Sequence, residues 1–235
     1  MTVDRTSSEP GQFETALANV EFSHRQRAAQ DFARIAERAP AAVIEALPPL
    51  LAESPDPDSA LNLFERLTET ASHDLFRLFS RQPFLIHYAL AVFGYSQWLG
   101  ETLIQNTDLF HSLARDRSLE LSHSREDYAE AFARFRSRSI ETDISLLLAR
   151  FKKREYIRIV LRDVLGIATL ADTTAEISAV SDVMIEEALR EAALVMRNRY
   201  GAPHTLDKTG RVVDTNFAVL SLGKLGGNED RKSVV

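Results

Sequence analysis

From Arg125 to Tyr200 apolar residues recur at helical spacing with few breaks, and this commits the chain to helices. Tyr128, Phe132, Phe135, Ile140, Ile144, Leu147 and Phe151 form one stripe, read as the core face of a helix from Arg125 to Arg150. A second helix is expected from Glu155 to Leu170, with Ile157, Val160, Leu161 and Val164 turned inward. A third is expected from Thr174 to Tyr200, opened by the capping-box pattern Thr173-x-x-Glu176. Its buried face reads as Ile177, Val180, Met184, Ala188 and Val195, and Gly201-Ala-Pro203 breaks it.

The same periodicity organises the upstream residues. Arg25 to Arg38 reads as a helix that stops before Pro40, and Ala41 to Leu51 as an apolar segment interrupted by Pro48-Pro49. Glu53 to Asp58 is a solvated turn in which Asp58 or Ser59 caps the next helix. That helix carries Leu61, Phe64, Leu67, Ala71 and Leu75 on one face and ends near Pro83. Phe84 to Phe93 is a further apolar helix. Residues 1–20 are polar, with Ser7-Ser-Glu-Pro-Gly11, and read as a frayed, disordered leader before a helical region at 21–200.

Beyond residue 201 the pattern changes. Phe217 to Leu222 reads as a short buried strand that runs into Gly223-Lys224-Leu225-Gly226-Gly227. A strand opening into a glycine-rich turn can present bare N–H groups to a phosphate; the same residues also serve as a plain tight turn. One strand needs a sheet, and Arg211-Val-Val213 is at most a weak extension, so a new α/β unit is expected to begin near residue 201.

Arg150-Phe-Lys-Lys-Arg154 continues to Arg158 and Arg162, which places Arg154, Arg158 and Arg162 on one helix face at i, i+4 and i+8. Such a ridge can hold a nucleotide phosphate or an acidic partner; it can equally be a solvated face paired with Glu155 and Asp163. A net charge of −6 and a pI near 5.6 argue against a dedicated nucleic-acid binder. The chain has no cysteine, which excludes disulfides and thiol chemistry. It shows neither a signal peptide nor an apolar run of membrane length, so a cytoplasmic protein is expected. The scattered histidines lack the spacing of a zinc site, and Glu186-Glu187 and Asp56/Asp58 read as solvated carboxylates.

Taken together, these features resemble the glutamine synthetase adenylyltransferases, also called adenylyl-removing enzymes. Members carry a segment like Arg150 to Asp163, a helix like Thr174 to Asp182, and then a strand leading into the motif Gly-Lys-Leu-Gly-Gly-x-Glu. Gly223, Lys224, Leu225, Gly226, Gly227, Asn228 and Glu229 match that motif, and Leu61 to Leu67 and Gln82 to Leu85 are similar to the family's N-terminal helices. The resemblance implies a mainly α chain: a helical array, then the first strand and glycine-rich turn of a polymerase-β-type nucleotidyltransferase domain over 201–229. It implies phosphate binding at Gly223, Lys224, Gly226 and Gly227, ATP or ADP as nucleotide, magnesium as cofactor, and glutamine synthetase and a PII-type signal protein as partners. Neither nucleic acid nor membrane is implied.

The family motif goes on to Leu or Met and then to Ser-Asp-x-Asp, whose carboxylates hold magnesium. Here Glu229 is followed by Asp230-Arg-Lys-Ser-Val-Val235. Residues 230–235 are therefore expected to be a non-native tail of the kind a short-read sequencing adapter encodes, on a chain truncated in mid-motif. No catalytic residue and no metal ligand is assigned. Two functions stay open: a fragment of an adenylyl-transferring enzyme, inactive alone, or a helical module that binds glutamine synthetase or a PII-type protein.

Overall fold

The computed structural model describes residues 16–115, 119–215, 217–222 and 225. Among the described residues it is mainly α, with ten helices and one two-stranded antiparallel hairpin. Two compact units divide the chain, the first comprising residues up to Leu119 together with Val160–Ile167, the second Glu120–Ile159 and the residues from Ala168 onward.

The first unit is built from α1 (Arg25–Arg38), α2 (Ala41–Ala52), α3 (Pro57–Thr70), α4 (His73–Arg81), α5 (Phe84–Tyr95), α6 (Gln97–Gln105) and α7 (Asp108–Arg115). Helix α3 lies at its centre, packed on α1, α2, α5 and α6. Its Leu61, Phe64 and Leu67 are fully buried, as the periodicity requires. Phe79 of α4 joins this core between Phe64, at 6.3 Å, and Phe110, which it meets edge-on at 5.1 Å. Packing begins before α1, since Leu17 and Val20 are buried; the earlier part of the expected leader lies outside the described residues.

Local chemistry sets the helix ends, and several differ from the sequence reading. Asp56, not Asp58 or Ser59, caps α3 by accepting the Ser59 N–H at 3.0 Å. Asp58 instead accepts the Ser23 and His24 N–H groups at 2.8 and 3.0 Å, fixing the entry to α1. The expected helix through Leu75 is two, because Ala71 is extended and Ser72 caps α4. Helix α2 runs through Pro48 and Pro49 without interruption. Leu47 and Leu51 are fully buried on either side, so core packing outweighs the missing N–H groups.

The second unit contains α8 (Arg125–Arg138), the part of α9 (Ile144–Val164) up to Ile159, and α10 (Leu170–Tyr200). The single helix expected over 125–150 is broken at Ser139 to Asp143. Glu141 accepts the N–H groups of Thr142 and Asp143, and Asp143 accepts that of Ser145 at 2.8 Å, so short polar side chains satisfy the backbone in place of helix bonds. Ile140, placed in the core by its spacing, is consequently fully exposed. Beyond Val164 the chain leaves α9 through Gly166 (φ 67°), with the Gly166 N–H on Asp163 O and the Ile167 N–H on Arg162 O. Helix α10 starts four residues before the expected Thr174, capped reciprocally by Thr169 and Asp172 rather than by Thr173 and Glu176.

Gly201 (φ 86°) closes α10, and β1 (His204–Leu206) then pairs with β2 (Val212–Asp214). Asp207 organises the turn between them, accepting from Thr209 N and Oγ1 at 2.7 Å and from Arg211 N at 3.0 Å. These hydrogen bonds, led by the Thr209 hydroxyl, hold the Asp207 carboxyl below its ordinary pKa. The sequence placed its strand later. Among the described residues Phe217–Leu222 takes no regular secondary structure, and Phe217, Leu220 and Leu222 are exposed, so the expected buried strand is not formed. Six residues of β propensity do not make a strand without a ladder to join.

Candidate functional site

The three arginines singled out by their spacing lie on α9 and are not equivalent. From Glu155 to Arg162 every residue of the helix is buried, the charged Glu155, Arg158 and Arg162 along with the apolar residues between them. Arg158 and Arg162 are therefore interior residues, each 2% exposed, and not members of a solvated ridge. That apolar run around both arginines was the signal in the sequence. A guanidinium enclosed by Ile, Val and Leu must find partners indoors, since an unpaired buried charge is very costly.

Arg158 meets Glu176 of α10 at 2.8 Å, an ion pair with both side chains almost fully enclosed. The same Glu176 Oε1 accepts the Tyr128 hydroxyl at 3.0 Å and the His123 N–H at 2.8 Å. Arg158 also donates through its second terminal nitrogen to Leu121 O. Burial, and next the negative charge of Glu176, push the Tyr128 phenol far above its ordinary pKa. It stays protonated and acts as a hydrogen-bond donor. In the first unit, Arg162 donates to Leu119 O at 2.6 Å.

Arg154 is the one of the three with a partly exposed side chain, at 27%. Its Nε donates to Glu155 at 2.6 Å, and its guanidinium lies over the rings of Phe135 and Phe151, 5.0 Å from each centroid. Lys152 covers the Tyr156 ring at 4.9 Å. Arg154 is thus held flat by packing on two rings and one carboxylate. Glu176 and Tyr128, the partners that make the buried cluster, were assigned by sequence to a helix cap and to the core. Only the fold reveals that they meet.

Gly223, Lys224, Gly226 and Gly227 lie outside the described residues, as do 226–235, where the chain departs from the family motif. Among the described residues no group of three or more His, Asp or Glu side chains is placed to hold a metal ion. Nor is any helix among them long and apolar enough to cross a membrane. Glu186 and Glu187, read as solvated, pair with arginines: Glu186 with Arg125 and Arg190, Glu187 with Arg190.

The described residues form a helical array that leads into an exposed two-stranded hairpin. Comparison with known proteins gives the family. The family model described as glutamate-ammonia ligase adenylyltransferase matches residues 86–231, more than half of the chain, and the chain belongs to that family. A bifunctional glutamine synthetase adenylyltransferase/adenylyl-removing enzyme from Thioalkalivibrio sulfidiphilus is 25% identical over 79% of this chain and 20% of its own length. A protein of the same description from Nitrosomonas eutropha is 35% identical over 38% of this chain and 10% of its own. Another, from Hahella chejuensis, is 28% identical over 60% and 14%. The chain spans about a fifth or less of the length of these curated relatives.

Proposed function

We propose that this chain is the amino-terminal part of an enzyme that governs glutamine synthetase by attaching AMP to, or removing AMP from, one of its tyrosines. The observation that carries the reading is the family match over residues 86–231, which runs from α5 through the glycine motif. The descriptions of the relatives support it. In this proposal Gly223, Lys224, Gly226 and Gly227 hold the phosphates of ATP or ADP, the glycines through backbone N–H groups and the lysine as a point charge. Glutamine synthetase is the protein substrate, a PII-type signal protein the regulator and the cytoplasm the place of action.

Magnesium requires a set of hard oxygen ligands, usually including carboxylates. After Glu229 the sequence holds one acid, Asp230, and the described residues hold no such set. No step through the ion is derived, and the 235-residue polypeptide is proposed to lack turnover by itself.

The alternative, a helical module that binds glutamine synthetase or a PII-type protein, is favoured by one observation. The helices bury apolar residues in cores of their own. Of the three arginines, Arg154 is the one proposed to touch a partner, because Arg158 and Arg162 are enclosed. Charge reversal at all three would test folding rather than binding. The informative variant is Arg154→Gln, which retains a hydrogen-bond donor for Glu155. Capture of glutamine synthetase by the wild-type chain, weakened by Arg154→Gln with circular dichroism unchanged, supports the module. Equal capture by the two removes Arg154 from the contact.

A further inference from the structure

We infer that residues 121–123 form a strap held on the second unit by the buried Arg158–Glu176 pair, and that this pair decides whether the approach to α8 is ordered. The strap has neither helix nor strand, and its outward side chain Leu121 is 63% exposed, so apolar burial does little to hold it. Polar bonds fasten it instead. The Leu121 carbonyl accepts from Arg158, and the His123 N–H donates to Glu176 at 2.8 Å. Both anchoring side chains are themselves nine-tenths or more buried and bonded to each other at 2.8 Å. The His123 ring adds an edge-on contact with Tyr128 at 5.3 Å, and Tyr128 in turn donates to Glu176.

Immediately after the strap, Ser124 and Asp127 cap α8 reciprocally, with Ser124 N on Asp127 Oδ2 at 2.8 Å. That cap is local to the helix and does not involve the ion pair. The strap can therefore open without unwinding α8, giving up the edge-on contact of the His123 ring with the buried Tyr128. These are the properties of a low-cost local opening, with a docked and a released state separated by one polar cluster. The pair is the latch.

Removing one partner alone would leave the other buried and uncompensated, so the test replaces both. The variant Arg158→Met/Glu176→Met keeps the volume apolar, a replacement that buried ion pairs often tolerate without loss of fold. Amide hydrogen exchange at His123 is read against Ile177, a buried residue of α10. In a variant with native circular dichroism, exchange at His123 should rise roughly ten- to hundredfold relative to Ile177, the range expected for losing a bond to a charged group. An unchanged ratio overturns the inference. Arg158→Lys provides a second reading that keeps the charge but lacks the second arm that reaches Leu121 O. It should shift the ratio in the same direction by a smaller factor, and wild-type exchange in folded Arg158→Lys would also overturn the latch.

Discussion

Reversing the charge of Arg158 separates a surface ridge from an interior cluster more sharply than any other single change. Arg158→Glu would place a second carboxylate within contact distance of Glu176, where the native pair stands at 2.8 Å with side chains 3% and 2% exposed. Breaking a buried pair by removing one partner costs about 3–5 kcal/mol, and like charge adds to that. A folded domain holds about 5–15 kcal/mol in all, so the variant should lose about a fifth of its stability or more. Arg150→Glu on the same helix is the control. Arg150 is exposed, and a surface substitution there should stay within about 0.5 kcal/mol. Urea unfolding followed by far-ultraviolet circular dichroism reads both. With a slope of about 1–3 kcal/mol per molar, Arg158→Glu should lower the midpoint by about 1 M or more, or unfold the second unit outright. A midpoint within about 0.3 M of wild type, equal to that of Arg150→Glu, would refute burial of the pair.

Two further outcomes follow from particular contacts. Gly100 is buried, and a Cβ there would come within 2.7 Å of Leu63 Cδ1 and 3.0 Å of Phe93 Cδ1, so Gly100→Ala should cost about 1–3 kcal/mol by overpacking, measured in the same urea assay; no loss would mean that Leu63 yields freely. Arg66 holds Glu101 through a two-armed hydrogen bond that lowers the carboxyl pKa, so the pair should stabilise above the ordinary carboxylate range and fade as pH falls through the depressed value. Both side chains are partly solvated, so a double-mutant cycle should return about 0.2–1 kcal/mol at pH 7 and fade once the carboxyl is protonated, whereas a coupling that persists with Glu101 protonated would contradict the assignment.

The helices were legible because their apolar periodicity is long and their caps are local. The mainly α class, the stripe Tyr128, Phe132, Leu147 and Phe151, and the face Leu61, Phe64 and Leu67 all follow from spacing alone. Where the reading failed, a competing local bond or a tertiary contact decided. Glu141 and Asp143 interrupt a helix whose pattern continues, and Leu47 and Leu51 carry α2 through two prolines. In α10 the expected buried face ends early: Val195 is 55% exposed although its spacing matches Ile177 and Val180. Periodicity states which side is apolar and cannot state whether anything covers it. The arginines show the same limit, since i+4 spacing places them on one face without saying whether that face is wet. Glu176 lies 18 residues from Arg158 and 48 from Tyr128, and no local pattern joins groups so far apart.

The family resemblance was carried by a short motif and a basic helix, and the family match spans both. The account rests on the claim that these helices belong to an AMP-transferring enzyme yet do no chemistry unaided. The direct measurement is release of AMP from adenylylated glutamine synthetase by the purified 235-residue polypeptide, with magnesium and inorganic phosphate supplied. The account predicts release no faster than the blank, from a chain that is folded by circular dichroism. Magnesium-dependent release above the blank, abolished by Lys224→Ala, would contradict it.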